Sequence, residues 1–184
     1  MPSNLEPLTM SDLTHSFHCV LPHEPPRILI LGSLPSVASV GQQQYYAHPH
    51  NAFWRIMEAL FAQGLTLDYA QRLALLKQQR IALWDVIASA RREGSLDSAI
   101  EPDSVVPNDI IGLLNTFPSV HSIYLNGGSA SALFKRYIAK QLPRALNVIT
   151  LPSTSPANAR MRFEEKLAKW RVIQQNALSS SDGQ

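Results

Sequence analysis

Four short apolar runs punctuate the chain, and between them apolar residues recur at helical spacing. The first run, Arg27-Ile-Leu-Ile-Leu-Gly32, follows Pro25-Pro26 and stops at a glycine, the pattern of a strand buried on both faces. Ile81-Ala-Leu-Trp-Asp-Val-Ile87 is a second, interrupted by one carboxylate, and Val120-His-Ser-Ile-Tyr-Leu-Asn126 is a third, closed by Gly127-Gly128. Leu146-Asn-Val-Ile-Thr-Leu151 is the fourth. Phe53, Trp54, Met57, Leu60 and Phe61 predict an amphipathic helix over residues 51–62, and Leu73, Leu76 and Ile81 keep the same period for a helix over 67–79. Further helices are expected over 107–116, with Pro107 near the start where its missing N–H is harmless, over 129–140, and over 162–177.

Strands alternating with helices predict an α/β fold, a parallel sheet covered on both faces. No internal repeat is visible, so residues 1–178 are expected to form one domain, with 179–184 a frayed tail. In such sheets ligands bind beyond the carboxyl ends of the strands. That directs attention to the segments after Leu31, near Asp85, after Leu125 and after Leu151.

Composition narrows the classes. The chain has 184 residues, 45% of them hydrophobic, enough for a sizeable core. Its one cysteine, Cys19, can form no internal disulfide, and the natural reading is a reducing, cytoplasmic setting. Residues 1–17 carry Glu6 and Asp12 and lack an apolar run, so they do not read as a signal peptide, and no stretch has the apolar length of a membrane span. A formal charge of +2 neither demands nor excludes nucleic acid. Arg55, Arg72, Arg91, Arg92, Arg160 and Arg162 could gather on one face, although a solvated surface is the default for such residues.

Two loops hold the candidate chemistry. Gly32-Ser-Leu-Pro-Ser36 leads to Tyr45-Tyr46-Ala-His-Pro-His-Asn-Ala-Phe-Trp54, a connection far longer than is usual between strand and helix and rich in aromatic and polar side chains. Leu151-Pro-Ser-Thr-Ser-Pro-Ala-Asn-Ala-Arg160 follows the fourth run with hydroxyls and backbone N–H groups that suit phosphate oxygens, and equally suit plain turns and caps.

Together, Gly32-Ser-Leu-Pro-Ser36, His48-Pro-His-Asn-Ala-Phe-Trp54 and Leu151-Pro-Ser-Thr-Ser-Pro-Ala-Asn158 resemble the uracil-DNA glycosylase superfamily, and more narrowly its hypoxanthine-DNA, or deoxyinosine, glycosylase branch. The resemblance runs from about Arg27 to Trp170. It implies a three-layer sandwich around a four-stranded parallel sheet and a monofunctional enzyme that hydrolyses the N-glycosidic bond of a deaminated base flipped out of DNA. Uracil or mismatch-specific uracil excision is the alternative substrate class. A non-catalytic reader of damaged DNA and a small nucleotide binder are the alternatives outside enzymology, the last lacking the usual glycine or lysine signatures. The sequence departs from the superfamily pattern at Leu34, where many members orient the attacking water with Asp or Asn, and at Leu151, where many place His or Asn. Both departures are similar to the hypoxanthine branch.

By that resemblance Asn51, Ser33 and His48 form the catalytic set, with Asn51 orienting water; as isolated residues Asn51 reads as a helix cap and His48 as a structural histidine. Phe53 matches the ring that stacks on the base, and otherwise belongs to the apolar face of its helix. Asp85 stands where a base reader is placed, or serves as a cap or buried ion-pair partner, while Tyr45, Tyr46 and Leu34 line the pocket or simply pack. Ser36, Ser153, Thr154, Ser155 and Asn158, with Ser33, are expected to contact phosphates. Arg160, Met161 and Arg162 are expected to form a wedge at the DNA, although helix-start residues facing solvent would look the same. DNA is the implied partner of a monomer, with no cofactor and no metal.

Overall fold

The protein is described here from a computed structural model, which defines residues 13–178; the expected tail at 179–184 and the segment 1–12 lie outside the described residues. The strands, numbered along the chain, are β1 (Leu13–His15), β2 (Ile28–Gly32), β3 (Ile81–Asp85), β4 (Ile87–Arg91), β5 (Val106–Pro107), β6 (Ser122–Asn126) and β7 (Asn147–Leu151). The helices are α1 (Val37–Gln42), α2 (Phe53–Phe61), α3 (Tyr69–Gln78), α4 (Ile110–Thr116), α5 (Gly128–Tyr137), α6 (Phe163–Trp170) and α7 (Val172–Leu178).

β3, β2, β6 and β7 form a four-stranded sheet in that order, and every pairing in it is parallel. The continuous apolar run of β2 is explained by its central position. Ile28 and Ile30 point into a core with Phe53, Ile56, Met57 and Leu60 of α2, Leu76 of α3 and Trp170 of α6. Leu29 and Leu31 point into the opposite core with Ile110 and Leu114 of α4 and Ala130 and Phe134 of α5. This is the expected α/β sandwich, because alternate residues of one strand serve two helical layers.

Several elements depart from the periodicity reading. The run 81–87 is two strands: β3 stays in the parallel sheet, whereas β4 turns away into a separate antiparallel sheet of order β1-β4-β5. Ile87 and Ala90 then pack on Leu34 in a small third core, so the apolar residues continue although the sheet does not. Pro107 lies in β5 rather than at a helix start, and Asp109 caps α4 by accepting from Gly112 N. The expected helix over 162–177 is α6 and α7, parted at Arg171. α1 carries no predictive stripe, since its two valines, Val37 and Val40, are exposed and Ser39 is its one buried residue.

Candidate active site

The register of the parallel sheet brings the two candidate loops together. Gly32 pairs with Asp85 and Asn126 pairs with Leu151, so the carboxyl ends of all four strands form one edge. Beyond that edge lies a cavity of about 100 Å³, lined on one side by Gly32, Ser33, Leu34 and Pro35 and on the other by Ser153, Thr154 and Ser155. Asp85, Asn126, Tyr46, Asn51 and Asp97 also face it.

Short side chains fold the long first loop onto itself. Ser36 caps α1 by accepting from Ser39 N, and the buried Ser39 hydroxyl accepts from Ala47 N. Tyr45 is held at three points: its hydroxyl donates to His18 O, its N–H donates to the Tyr69 hydroxyl, and its carbonyl accepts from the Trp54 indole at 2.7 Å. Tyr46 follows with a positive φ of 54°, a conformation uncommon for a bulky residue. That turn lays its ring on Phe53, with centroids 4.2 Å apart and planes 27° apart.

The Tyr46 hydroxyl and the Asp85 side chain thereby both lie close over Gly32. A Cβ placed on Gly32 would stand 2.6 Å from Asp85 Oδ1 and 2.8 Å from the Tyr46 hydroxyl, so glycine is the residue that allows both to approach. Asp85 is almost fully buried, and its only side-chain hydrogen bond among the described residues is the one Ser16 donates to Oδ2, at 3.0 Å. Burial pushes its carboxyl up to about 7; the Ser16 hydrogen bond opposes this, the Asp97 charge adds to it, and Arg92 opposes it. The Tyr46 hydroxyl is buried and makes no hydrogen bond. Burial first, and then the charge of Asp85, raises its pKa, so it is a neutral donor despite the Asn126 amide beside it.

The second loop is pinned to the first. The Asn126 side chain donates to the Thr154 hydroxyl at 2.9 Å and accepts from Thr154 N at 3.0 Å, while Ala52 N donates to Thr154 O. Asn126 is therefore a clamp rather than the tight-turn residue its Gly127-Gly128 neighbours suggest. Gly127 has φ +94°, and Ser153 Cβ lies 2.7 Å from where its own Cβ would be, so glycine is required twice over. Ser153 Oγ accepts from Ser155 N and Ser155 Oγ accepts from Ala157 N, and each hydroxyl can still donate. Asn158 donates to Ser153 O and holds the loop from behind.

Of the residues singled out from sequence, the structure gathers Ser33, Leu34, Ser36, Tyr45, Tyr46, Asn51, Asp85, Ser153, Thr154 and Ser155 around the cavity. Phe53, by contrast, is fully buried behind Tyr46 and meets Trp54 and Trp170 edge-on. Tyr46 occupies the face that Phe53 was expected to offer a base. His48 lies off the cavity, and its Nδ1 accepts from His50 N, which braces the Pro49 turn. Asn51 Oδ1 accepts from Phe53 N at 2.9 Å, which spends one lone pair of that oxygen at the start of α2 and leaves the second lone pair and the amide NH₂ to act. Arg160 and Arg162 are exposed and away from the cavity, and Arg162 N is capped by Glu165.

The periodicity missed the segment that closes the third side. Ser95 and Asp97 come from the turn after β4, and Ser33 donates to Asp97 Oδ2 at 2.7 Å. Arg92 was expected on a solvated face. Its side chain is instead 1% exposed and reaches Asp97 Oδ1, Gly94 O and the carbonyl of Pro35. Arg91, beside it, pairs with Glu101 at the surface, and Arg72 pairs with the buried Glu58, so these arginines do not share one face. A signal existed only in composition, as Arg91-Arg92-Glu93-Gly94-Ser95-Leu96-Asp97 packs charge and turn residues together without a period.

Among the described residues no group of three or more His, Cys, Asp or Glu is placed to hold a metal, and no helix is long and apolar enough to cross a membrane. Burial pushes the Cys19 thiol up to about 12, with the Asp85 charge adding to the effect, so it is no ready nucleophile.

A parallel four-stranded sheet with a polar, loop-built cavity at its carboxyl edge is the frame of a ligand-binding α/β protein. The model of the uracil DNA glycosylase superfamily matches residues 20–175. The chain belongs to that superfamily, and is thereby a DNA N-glycosylase, a hydrolase of N-glycosyl bonds. It is 38% identical over 149 residues to the hypoxanthine DNA glycosylase of Methanosarcina acetivorans, covering 79% of this chain and 89% of that one. It is also 39% identical over 101 residues to the hypoxanthine DNA glycosylase of Methanosarcina barkeri, covering 54% and 63%. A solution NMR structure of a candidate uracil DNA glycosylase from Methanosarcina acetivorans superposes with a TM-score of 0.71 at 36% identity, over 89% of this chain and 99% of that one.

Proposed function

We propose that this enzyme is a monofunctional DNA glycosylase that removes hypoxanthine flipped out of DNA, leaving an abasic site. The observation that carries the reading is the convergence of an acceptor, Asp85, and a neutral donor, Tyr46, over Gly32 at the floor of the cavity. Hypoxanthine presents a ring N–H beside a carbonyl, which an ionised carboxylate and a phenol complement. Adenine presents the reverse order, an acceptor beside an amino donor, and would leave both protein groups mispaired; a mispaired buried polar group costs about 1–3 kcal/mol. Uracil offers the same edge as hypoxanthine, and the choice between them rests on the two relatives of that name.

Asn51 then acts through its NH₂, which can donate to the departing base as negative charge develops. The Ser153 and Ser155 hydroxyls can hold the phosphates flanking the extruded nucleotide. Arg160 and Arg162, exposed beyond that loop, suit the approaching duplex. Cleavage passes through an oxocarbenium-like sugar. No lysine lines the cavity, so release by water rather than through a Schiff base follows. The enzyme works as a monomer, in the cytoplasm, on double- or single-stranded DNA carrying the deaminated base.

A duplex with one hypoxanthine tests this: incubation should give no strand break until alkali is added, then a single break at the modified position. Tight binding without alkali-labile sites would favour a damage reader, and preferential action on a uracil duplex would reassign the substrate.

A further inference from the structure

Asn51 is a neutral amide whose oxygen already accepts one hydrogen bond from Phe53 N, so it can orient the hydrolytic water but cannot take its proton. A water attacking the sugar must surrender a proton as it bonds, and needs a base within hydrogen-bond reach. Leu34 supplies none, Tyr46 is a neutral donor, and Asp85 belongs to the base edge. One carboxylate on the cavity wall remains. Asp97 enters from the turn after β4, accepts from Ser33 at Oδ2 and lies against Arg92 at Oδ1, 3.4 Å away. Arg92 also binds the Pro35 carbonyl, so one buried guanidinium fixes the carboxylate to the very loop in which Leu34 sits. A half-buried carboxylate held this way keeps lone pairs for a water between it and the cavity.

We propose that Asp97 is the catalytic base of this glycosylase, accepting a proton from the attacking water beside Ser33. The inference rests on the glycosylase reading and adds a residue to it. The bond between C1′ and the base nitrogen breaks with its electron pair passing to the base. The water oxygen then bonds to C1′, its proton moves to the Asp97 carboxylate, and that proton is returned through solvent to the departed base. One water is consumed, and nothing is oxidised or reduced.

The groups facing Asp97 are Ser33 from the β2 loop, Arg92 beyond β4, Ser129 at the start of α5, and Asp85 and Tyr46 across the cavity; Arg136 of α5 lines the adjoining groove. Burial raises the Asp97 carboxyl above the ordinary range, while the hydrogen bond from Ser33 and the charge of Arg92 pull it down. The base must be ionised, so its contribution to rate grows as pH rises through that raised value.

The test is single-turnover release from a hypoxanthine duplex, with duplex affinity and melting temperature measured alongside. Asp97→Asn should lower the rate about 10²–10³-fold with affinity unchanged, within the usual range for a general base. Asp97→Ala should regain rate in proportion to added sodium formate, which sodium chloride does not reproduce. An Asp97→Asn rate within threefold of native, or an Asp97→Ala rate indifferent to formate, overturns the assignment. Should Asp97→Asn lose its fold, Asp97→Glu carries the test: at least a tenth of the native rate supports a carboxylate base, and less than a hundredth overturns it. A native protein that releases nothing from the duplex refutes the glycosylase reading itself, independently of Asp97.

Discussion

Asp85 and Tyr46 meet over a glycine that leaves no room for a methyl group: a Cβ on Gly32 would sit 2.6 Å from the carboxylate and 2.8 Å from the phenol. Gly32→Ala should therefore displace both groups without disturbing the backbone, as Gly32 has no left-handed φ. Hypoxanthine release should fall by about 10²-fold, the scale of an ångström-sized misplacement. Single-turnover rates with an unchanged far-UV spectrum check this.

The Asp85 carboxyl, pushed up to about 7, makes stability depend on pH in a direction opposite to most carboxylates. The folded protein holds this proton between roughly pH 4 and 7, where the unfolded chain has already released it. Stability from this group is therefore present at low pH and lost as pH rises toward the folded value. Asp85→Asn should raise the melting temperature at pH 8 relative to native, with little gain at pH 4, by at most about 4 kcal/mol of linked free energy. Asp85→Ala should lose hypoxanthine release, since the acceptor for the ring N–H is then gone, whereas Asp85→Asn keeps an amide oxygen that can accept. Native release should rise with pH through about 7 as Asp85 ionises.

Tyr46 and Phe53 separate reading from packing. Tyr46→Phe keeps the stacked ring and removes only an unpaired hydroxyl, so melting temperature should hold or rise while release of hypoxanthine relative to adenine falls about tenfold. Phe53→Ala empties the centre of a core and should cost about 3–5 kcal/mol in denaturant unfolding.

Arg92 ties Pro35, Gly94 and Asp97 together from a site with almost no solvent exposure. Arg92→Met should destabilise by about 3 kcal/mol, because Asp97 and the Pro35 carbonyl lose their donor. Its loss of rate should match that of Asp97→Asn rather than add to it, which a double-mutant comparison reads directly.

The sheet and most of the cavity were legible because both are written in local chemistry. The run 27–32 needs burial on both faces, and Gly32, Asp85, Asn126 and Leu151 end strands whose register aligns them. Phe53 was legible as a helix-face residue, and burial behind Tyr46 agrees with its helical spacing. What the spacing could not convey was a side chain's partner. Asn51 spends one lone pair of its oxygen on Phe53 N, and Tyr46 takes a left-handed turn that no residue type announces. Asp97 lines the cavity and Arg92 holds it from beside, both placed after a small antiparallel sheet whose strands are too short to show alternation.

The measurement that bears most directly on the central claim is identification of the released molecule by mass after a single turnover on a duplex containing deoxyinosine. The expected product is free hypoxanthine in equal amount to abasic sites, with adenine absent and release abolished by Asp85→Ala. Recovery of an intact nucleoside or nucleotide, or of no product from a duplex the protein binds, would contradict it.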